Sequence, residues 1–171
     1  MPALPLDLAR DFLRAHRIAL VGLSRNPKDF TRGIARELLR RGYDIVAVNP
    51  AAGGAEIEGC PAFARLTEVT PPVDAALLFT APGATEAVLR DCDEARVRKV
   101  WLHRGAGQGA ATPGALAFCA AHGIAAVHDL CPWMALPGAH FPHGFHREMR
   151  RRFGRVAPDP RTDAAPRQDS R

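Results

Sequence analysis

The chain has 171 residues, 47% of them hydrophobic and 24% charged, which fits one globular domain with a tail and leaves no room for a second full domain. Its formal charge is +5, yet eight arginines against four carboxylates between Arg147 and Arg171 carry nearly all of that excess, which argues against a basic nucleic-acid face on the core. No apolar run approaches the roughly 20 residues of a membrane span, and the first 17 residues lack the basic start, apolar centre and cleavage site of a signal peptide, so a cytoplasmic location is expected.

The predicted elements alternate along the chain. Leu6, Leu8, Ala9, Phe12 and Leu13 mark a short amphipathic helix over residues 6–16. Ile18-Ala19-Leu20-Val21-Gly22 is an uninterrupted apolar run closed by glycine, the pattern of a strand buried on both faces of a parallel sheet. Ile34, Ala35, Leu38 and Leu39 place a helix over 31–41, capped by Asp29 or Thr31 and stopped at Gly42. Residues 44–48 give a second strand; 51–72 are rich in Gly and Pro and read as mostly loop, with one helical turn around 63–66. Strands are expected again at 74–79, 99–102 and 124–128, with helices over 83–95 and 110–122 between them. Phe141, Phe145, Met149 and Phe153 follow an i, i+4 rhythm and predict a terminal helix docked on the domain. Beyond Arg155 the composition turns to Pro, Asp, Arg and Ala, as in a disordered tail over 156–171. The fold class implied is α/β, a Rossmann-like parallel sheet of about five strands with helices on both faces, in a single domain over 1–155.

In such sheets ligands bind beyond the carboxyl ends of the strands, where the first strand turns into its helix. There Gly22 allows a sharp turn, Ser24 offers a hydroxyl, and Arg25, Lys28 and Arg32 gather three positive charges. Phosphate is the natural guest. An NAD site asks for GxGxxG and an acid at the end of strand two; this turn has one glycine, and strand two ends in Val48-Asn49-Pro50. A ribose that carries its own phosphate suits this setting better, as in coenzyme A or NADP.

These residues resemble the small bacterial CoA-binding proteins, whose domain is similar to the N-terminal domain of the succinyl-CoA synthetase alpha subunit. The resemblance spans about 18–134. It rests on Val21-Gly22-Leu23-Ser24 with basic residues following, Gly42-Tyr43, Val48-Asn49-Pro50, Pro72-Val73-Asp74, Phe79 through Pro82, Val100-Trp101-Leu102 leading to Gly105, and Cys131. It implies that Gly22, Leu23, Ser24, Arg25 and Lys28 surround the CoA phosphates, with Thr31 and Arg32 at the helix start. It further implies that Val48, Asn49 and Pro50 lie near the adenosine, and that Phe79, Thr80 and Pro82 border the cofactor; His103 and Gly105, which follow a strand on the ligand side of the sheet, are expected beside it. The chain departs from the family pattern at Thr80, where arginine is frequent, at His103, where glutamine is usual, and at Ala135-Leu136, where Glu-His is common.

Candidates for chemistry are few. His103 precedes the glycine-rich stretch 105–109 and could serve as a base or bond a pantetheine amide, but no acidic partner is identifiable, so no catalytic residue is assigned. Cys131 could meet the CoA thiol, although a buried, inert thiol is the commoner state, and Cys60, Cys92 and Cys119 read as core. His140, His143 and His146 lack a Cys or carboxylate at matching spacing, so no metal site is expected. The reading is a non-catalytic protein that binds CoA or acyl-CoA, with no membrane or nucleic-acid partner and an open oligomeric state. The alternative is an NAD(P)-binding oxidoreductase or redox-sensing module; a third, weaker, reading binds nucleic acid through the arginine-rich tail.

Overall fold

In the computed structural model, residues 5–52, 54–105 and 107–137 are described. The chain divides into two units, Met1–Ala135 and Leu136–Arg171, and the architecture that follows is that of the first. Its elements run α1 (Pro5–Phe12), β1 (Arg17–Val21), α2 (Phe30–Arg40), β2 (Asp44–Val48), β3 (Ala62–Phe63), a 3-10 turn (Leu66–Glu68), β4 (Ala75–Leu78), α3 (Pro82–Glu94), β5 (Lys99–Leu102), α4 (Pro113–Ala121), β6 (Ala125–Val127) and α5 (Pro132–Ala135).

All strand pairs are parallel, in the order β3-β2-β1-β4-β5-β6. The chain builds outward from β1 to one edge, returns to the middle at β4, and builds outward again, so the direction of winding reverses between β1 and β4. Right-handed crossovers then put α2 on one face and α3 and α4 on the other. Alternation along the strands serves both. Ala19, Val21, Val46, Val48, Ala76, Leu78, Val100 and Leu102 cluster with Leu89 and Cys92 of α3 and with Ala115 and Cys119 of α4. Ile18, Leu20, Leu77 and Trp101 are just as buried and belong to the opposite face. There Trp101 meets Phe12 of α1 edge-on at 5.3 Å and donates its indole N–H to the Leu130 carbonyl at 2.9 Å.

The sheet has six strands rather than about five. The addition is β3, two residues inside the stretch expected as loop, registered Ala47↔Ala62 and Val48↔Phe63; two residues carry no readable period. The helical turn expected at 63–66 sits slightly later, at Leu66–Glu68. Helix α1 stops at Phe12 because its end tightens into i, i+3 bonds, Arg14 N–H to Asp11 and Ala15 N–H to Phe12, after which Asp74 Oδ2 accepts the N–H groups of His16 and Arg17 and draws the chain into β1.

Three helices end in a turn closed by the same long C-terminal bond, from an N–H to the carbonyl five residues before it. The N–H of Tyr43 bonds Leu38 O after α2, that of Ile124 bonds Cys119 O after α4, and that of Val97 bonds Cys92 O after α3. The residue before each acceptor-reaching N–H is left-handed: Gly42 (φ 85), Gly123 (φ 64) and Arg96 (φ 58). Glycine is the usual occupant. Arg96 takes the position at a strain of about 1 kcal/mol.

Among the described residues no helix is long and apolar enough to cross a membrane, and no group of three or more His, Cys, Asp or Glu is placed to hold a metal ion. The expected terminal helix, the tail and His140, His143 and His146 lie outside the described residues.

Candidate functional site

The turn that follows β1 passes directly over the exit of β4. Gly22 has φ +85, and a Cβ there would stand 3.3 Å from the carbonyl carbon and oxygen of Phe79, so glycine is required both for the conformation and for the close approach. The turn then knits itself together. Ser24 N–H donates to Thr31 Oγ1 (3.1 Å), Asn26 N–H to Ser24 Oγ (3.1 Å) and Lys28 N–H to Asn26 Oδ1 (3.1 Å). Asp29 caps α2, accepting the Thr31 N–H (2.8 Å) and hydroxyl (2.7 Å); these bonds, the hydroxyl foremost, hold its carboxyl below the usual range. The positive end of α2 is thereby matched by a built-in acid, and Thr31, buried, acts as a strut inside the turn.

The three cations expected here divide by partner. Arg32 donates from Nε to Glu58 (2.7 Å) and from its terminal nitrogen to the carbonyls of Ser24 (3.2 Å) and Arg25 (3.1 Å). Arg36 joins Glu58 from the other side (3.0 Å) and holds Pro27 O (2.9 Å). Both arginines keep the Glu58 carboxyl below its ordinary range, Arg36 the more strongly. Arg32 therefore builds the turn. Arg25 and Lys28 are exposed, and among the described residues their side chains have no hydrogen-bond or ion-pair partner, nor do the N–H groups of Leu23 and Arg25. Two cations and the Arg25 N–H are left for an anion, while Leu23 is fully buried and its N–H faces no ligand.

The end of β2 forms the neighbouring rim. Val48 points into the core, so only its backbone can face a ligand, and Pro50 is exposed. Asn49 locks the rim to the turn, donating from Nδ2 to Leu23 O and accepting Ala51 N–H at Oδ1, both at 2.9 Å.

Across the switch point, Thr80 and the fully buried Thr85 share a 2.7 Å hydroxyl contact; since Thr85 donates to Ala81 O (3.2 Å), Thr80 donates to Thr85. Pro82 opens α3. His103 stacks on Phe30 (5.3 Å between centroids, planes 18° apart) and meets Phe79 edge-on at 5.5 Å. Burial depresses the His103 pKa, so its imidazole is neutral at neutral pH. Below it the loop folds back, with Ala110 N–H on His103 O (2.9 Å); Gly109 is left-handed (φ 49), and a Cβ on it would overlap the His103 and Arg104 carbonyls. Gly105 is also left-handed and exposed.

Phe30 is the residue that sequence reasoning missed. It is 40% exposed, the exposed large hydrophobic of the described structure, and its signal was an aromatic inside an otherwise charged turn. The thiols are all buried. Burial pushes Cys92 up to about 12 and Cys60 and Cys119 up to about 11, and raises Cys131 as well, which disfavours thiolates at neutral pH.

Residues 16–137, a span that takes in every strand and both walls of this cleft, match the model of the family described as CoA binding domain. The chain belongs to this CoA-binding domain family. Among its relatives is the uncharacterized protein YneT of Bacillus subtilis, 29% identical over 92 residues that make up 54% of this chain and 67% of that protein. A solved Thermus thermophilus structure, cell-free ID.343, is 28% identical with a TM-score of 0.69, over 78% of this chain and 96% of that one. The dinucleotide-forming acetyl-coenzyme A synthetase 1 of Ca. Korarchaeum cryptofilum shares the fold, at 24% identity and a TM-score of 0.56 over 65% of this chain and 25% of that enzyme. For this CoA-binding domain, then, CoA-related binding is the supported activity, and its Rossmann-like fold is similar to that of the solved structures.

Proposed function

We propose that this CoA-binding domain binds CoA or acyl-CoA without catalysing a reaction on it. The observation that carries the reading is the pairing of two exposed, partner-free cations, Arg25 and Lys28, with the open N–H of Arg25 at the reversal of winding between β1 and β4. The diphosphate and 3′-phosphate of CoA supply the negative charge these groups lack. In this reading Val48 to Pro50 border the adenosine. Phe79, Thr80 and Pro82 line the path of the pantetheine arm, and the neutral imidazole of His103, with Gly105 beside it, offers one donor and one acceptor to its amides. The family's frequent arginine at position 80 is replaced here by a threonine committed to Thr85, which leaves Arg25 and Lys28 as the anchors.

Support for a non-catalytic role comes from the same residues. The ring neighbours of His103 are Phe30 and Phe79, so what surrounds it favours stacking over proton transfer. The thiols are held protonated by burial. A nicotinamide cofactor fits less well, because the rim holds Asn49, bonded to Leu23 and Ala51, where a ribose diol calls for an acid.

Calorimetric titration of the nucleotide-free protein with CoA, dephospho-CoA, NADH and NADP tests the reading. CoA should bind more tightly than dephospho-CoA. The R25A/K28A variant should lose about ten-fold or more in CoA affinity, since a charge-assisted hydrogen bond contributes about 1.5 to 3 kcal/mol. Binding of NADH or NADP with CoA inert would overturn it.

A further inference from the structure

The opposite edge of the sheet, where the strands begin, holds a second concavity that the CoA reading leaves unused. It is an open surface cleft of about 540 Å³, larger than one phosphate needs. Arg14 and His16 reach it from the link between α1 and β1, Arg96 and Arg98 from the link between α3 and β5, and Lys99 from the first position of β5. Its floor is apolar, made of the buried Ala15 and Val73.

The charges here also divide by partner. Arg98 is paired with Asp93 (2.7 Å) and Lys99 with Asp11 (2.9 Å). Asp74, the acid of the cavity lining, has its Oδ2 committed to the N–H groups of His16 (3.0 Å) and Arg17 (2.9 Å). The side chains of Arg14, His16 and Arg96 have no partner among the described residues. Two segments far apart in sequence thus direct unpaired cationic or hydrogen-bonding groups into one cleft. One of them, Arg96, stands where α2 and α4 use glycine, so its side chain is kept against the preference of the backbone.

We propose that this cleft is a second anion-binding site, for a small ligand carrying two or more phosphate-type oxyanion groups. Arg14 and Arg96 are its anchors and His16 a further donor. Arg98 and Lys99, already paired, raise the local potential. The site lies at the other end of the strands from the CoA cleft, so the two ligands need not compete.

Pyrophosphate is the probe, titrated into the full chain at low salt and followed by calorimetry, with inorganic phosphate and a short single-stranded DNA as parallel arms. Pyrophosphate should bind more tightly than phosphate. Measured in the R25A/K28A background, which removes the anchors of the CoA cleft, R14Q/R96G should lose about ten-fold or more in pyrophosphate affinity, while R96K retains most of it. Glycine suits the left-handed φ of position 96, so a melting curve no lower than that of the parent shows that the loss is not unfolding. Unchanged affinity in R14Q/R96G overturns the proposal, as does a loss confined to R25A/K28A, which would place the pyrophosphate in the CoA cleft. Binding of the DNA that R14Q/R96G abolishes, with pyrophosphate inert, also overturns it in favour of a nucleic-acid surface.

Discussion

The two ends of the sheet are both basic, and they use their basic residues in the same two ways. At the carboxyl end Arg32 and Arg36 are spent on Glu58 and loop carbonyls, while Arg25 and Lys28 stay open. At the amino end Arg98 and Lys99 are spent on Asp93 and Asp11, while Arg14 and Arg96 stay open. A count of charges therefore overstates either site; the partners decide which cations build the protein and which remain for a ligand. The difference lies in the backbone. The carboxyl end adds left-handed glycine turns at Gly22, Gly105 and Gly109, whereas the amino end offers side chains over the buried Ala15 and Val73.

That backbone dependence is where the comparison breaks most sharply. Gly109→Val puts a branched side chain at a left-handed φ and against the His103 and Arg104 carbonyls, which should lower stability by about 2 to 4 kcal/mol in denaturant titration. In the folded fraction CoA affinity should fall and pyrophosphate binding at the amino end should persist. An equal loss at both ends would mean that the two sites are one cooperative structure.

Next in size is the division among cations. Glu58→Gln removes the acid shared by Arg32 and Arg36 and should destabilise the fold by about 1 to 2 kcal/mol, weakening CoA binding only through a loosened turn. R25A/K28A should do the reverse, leaving the melting temperature in place and removing affinity. If both variants lost stability and affinity alike, the distinction between building and binding cations would fail.

Most of the sheet was legible in the sequence because β1, β2, β4 and β5 are buried on both faces and read as unbroken apolar runs. Their carboxyl ends then singled out Gly22 and His103 as candidates by topology, whereas Phe79 entered through the family resemblance. What was not legible depends on contacts across the chain. Arg32 looked like a phosphate ligand until Glu58, 26 residues later, was seen to hold it. Phe30 gained meaning only from His103 stacked beside it. The amino-end cleft joins Arg14 to Arg96, and no local pattern connects residues that far apart.

Acidity separates the two ends further. His103 has a folded pKa below its ordinary 6.5 because of burial, so in the window just below 6.5 the unfolded chain binds more protons than the folded one. Stability should therefore fall as pH drops through that window and flatten once both states are protonated. The depressed carboxyls Asp29, Glu58 and Asp129 act lower: their stabilisation is present above the ordinary carboxylate range and lost on further acidification. Melting temperatures of H103Q should lack the upper step and keep the lower one. A parent and variant with superimposable curves down to the carboxylate range would show that His103 titrates as if exposed.

The smallest expected effect bears on why Arg96 is there. If the side chain is kept for the cleft and not for the fold, Arg96→Gly should raise stability by roughly 0.5 to 1 kcal/mol, because the left-handed conformation at φ 58 no longer carries a Cβ. Gly42→Ala and Gly123→Ala, at the matching positions after α2 and α4, should each lower it by about 1 kcal/mol. Chemical denaturation of the three variants reads the sign directly. A destabilised R96G would mean that the arginine supports the end of α3 itself, and the amino-end cations would then all belong to the scaffold.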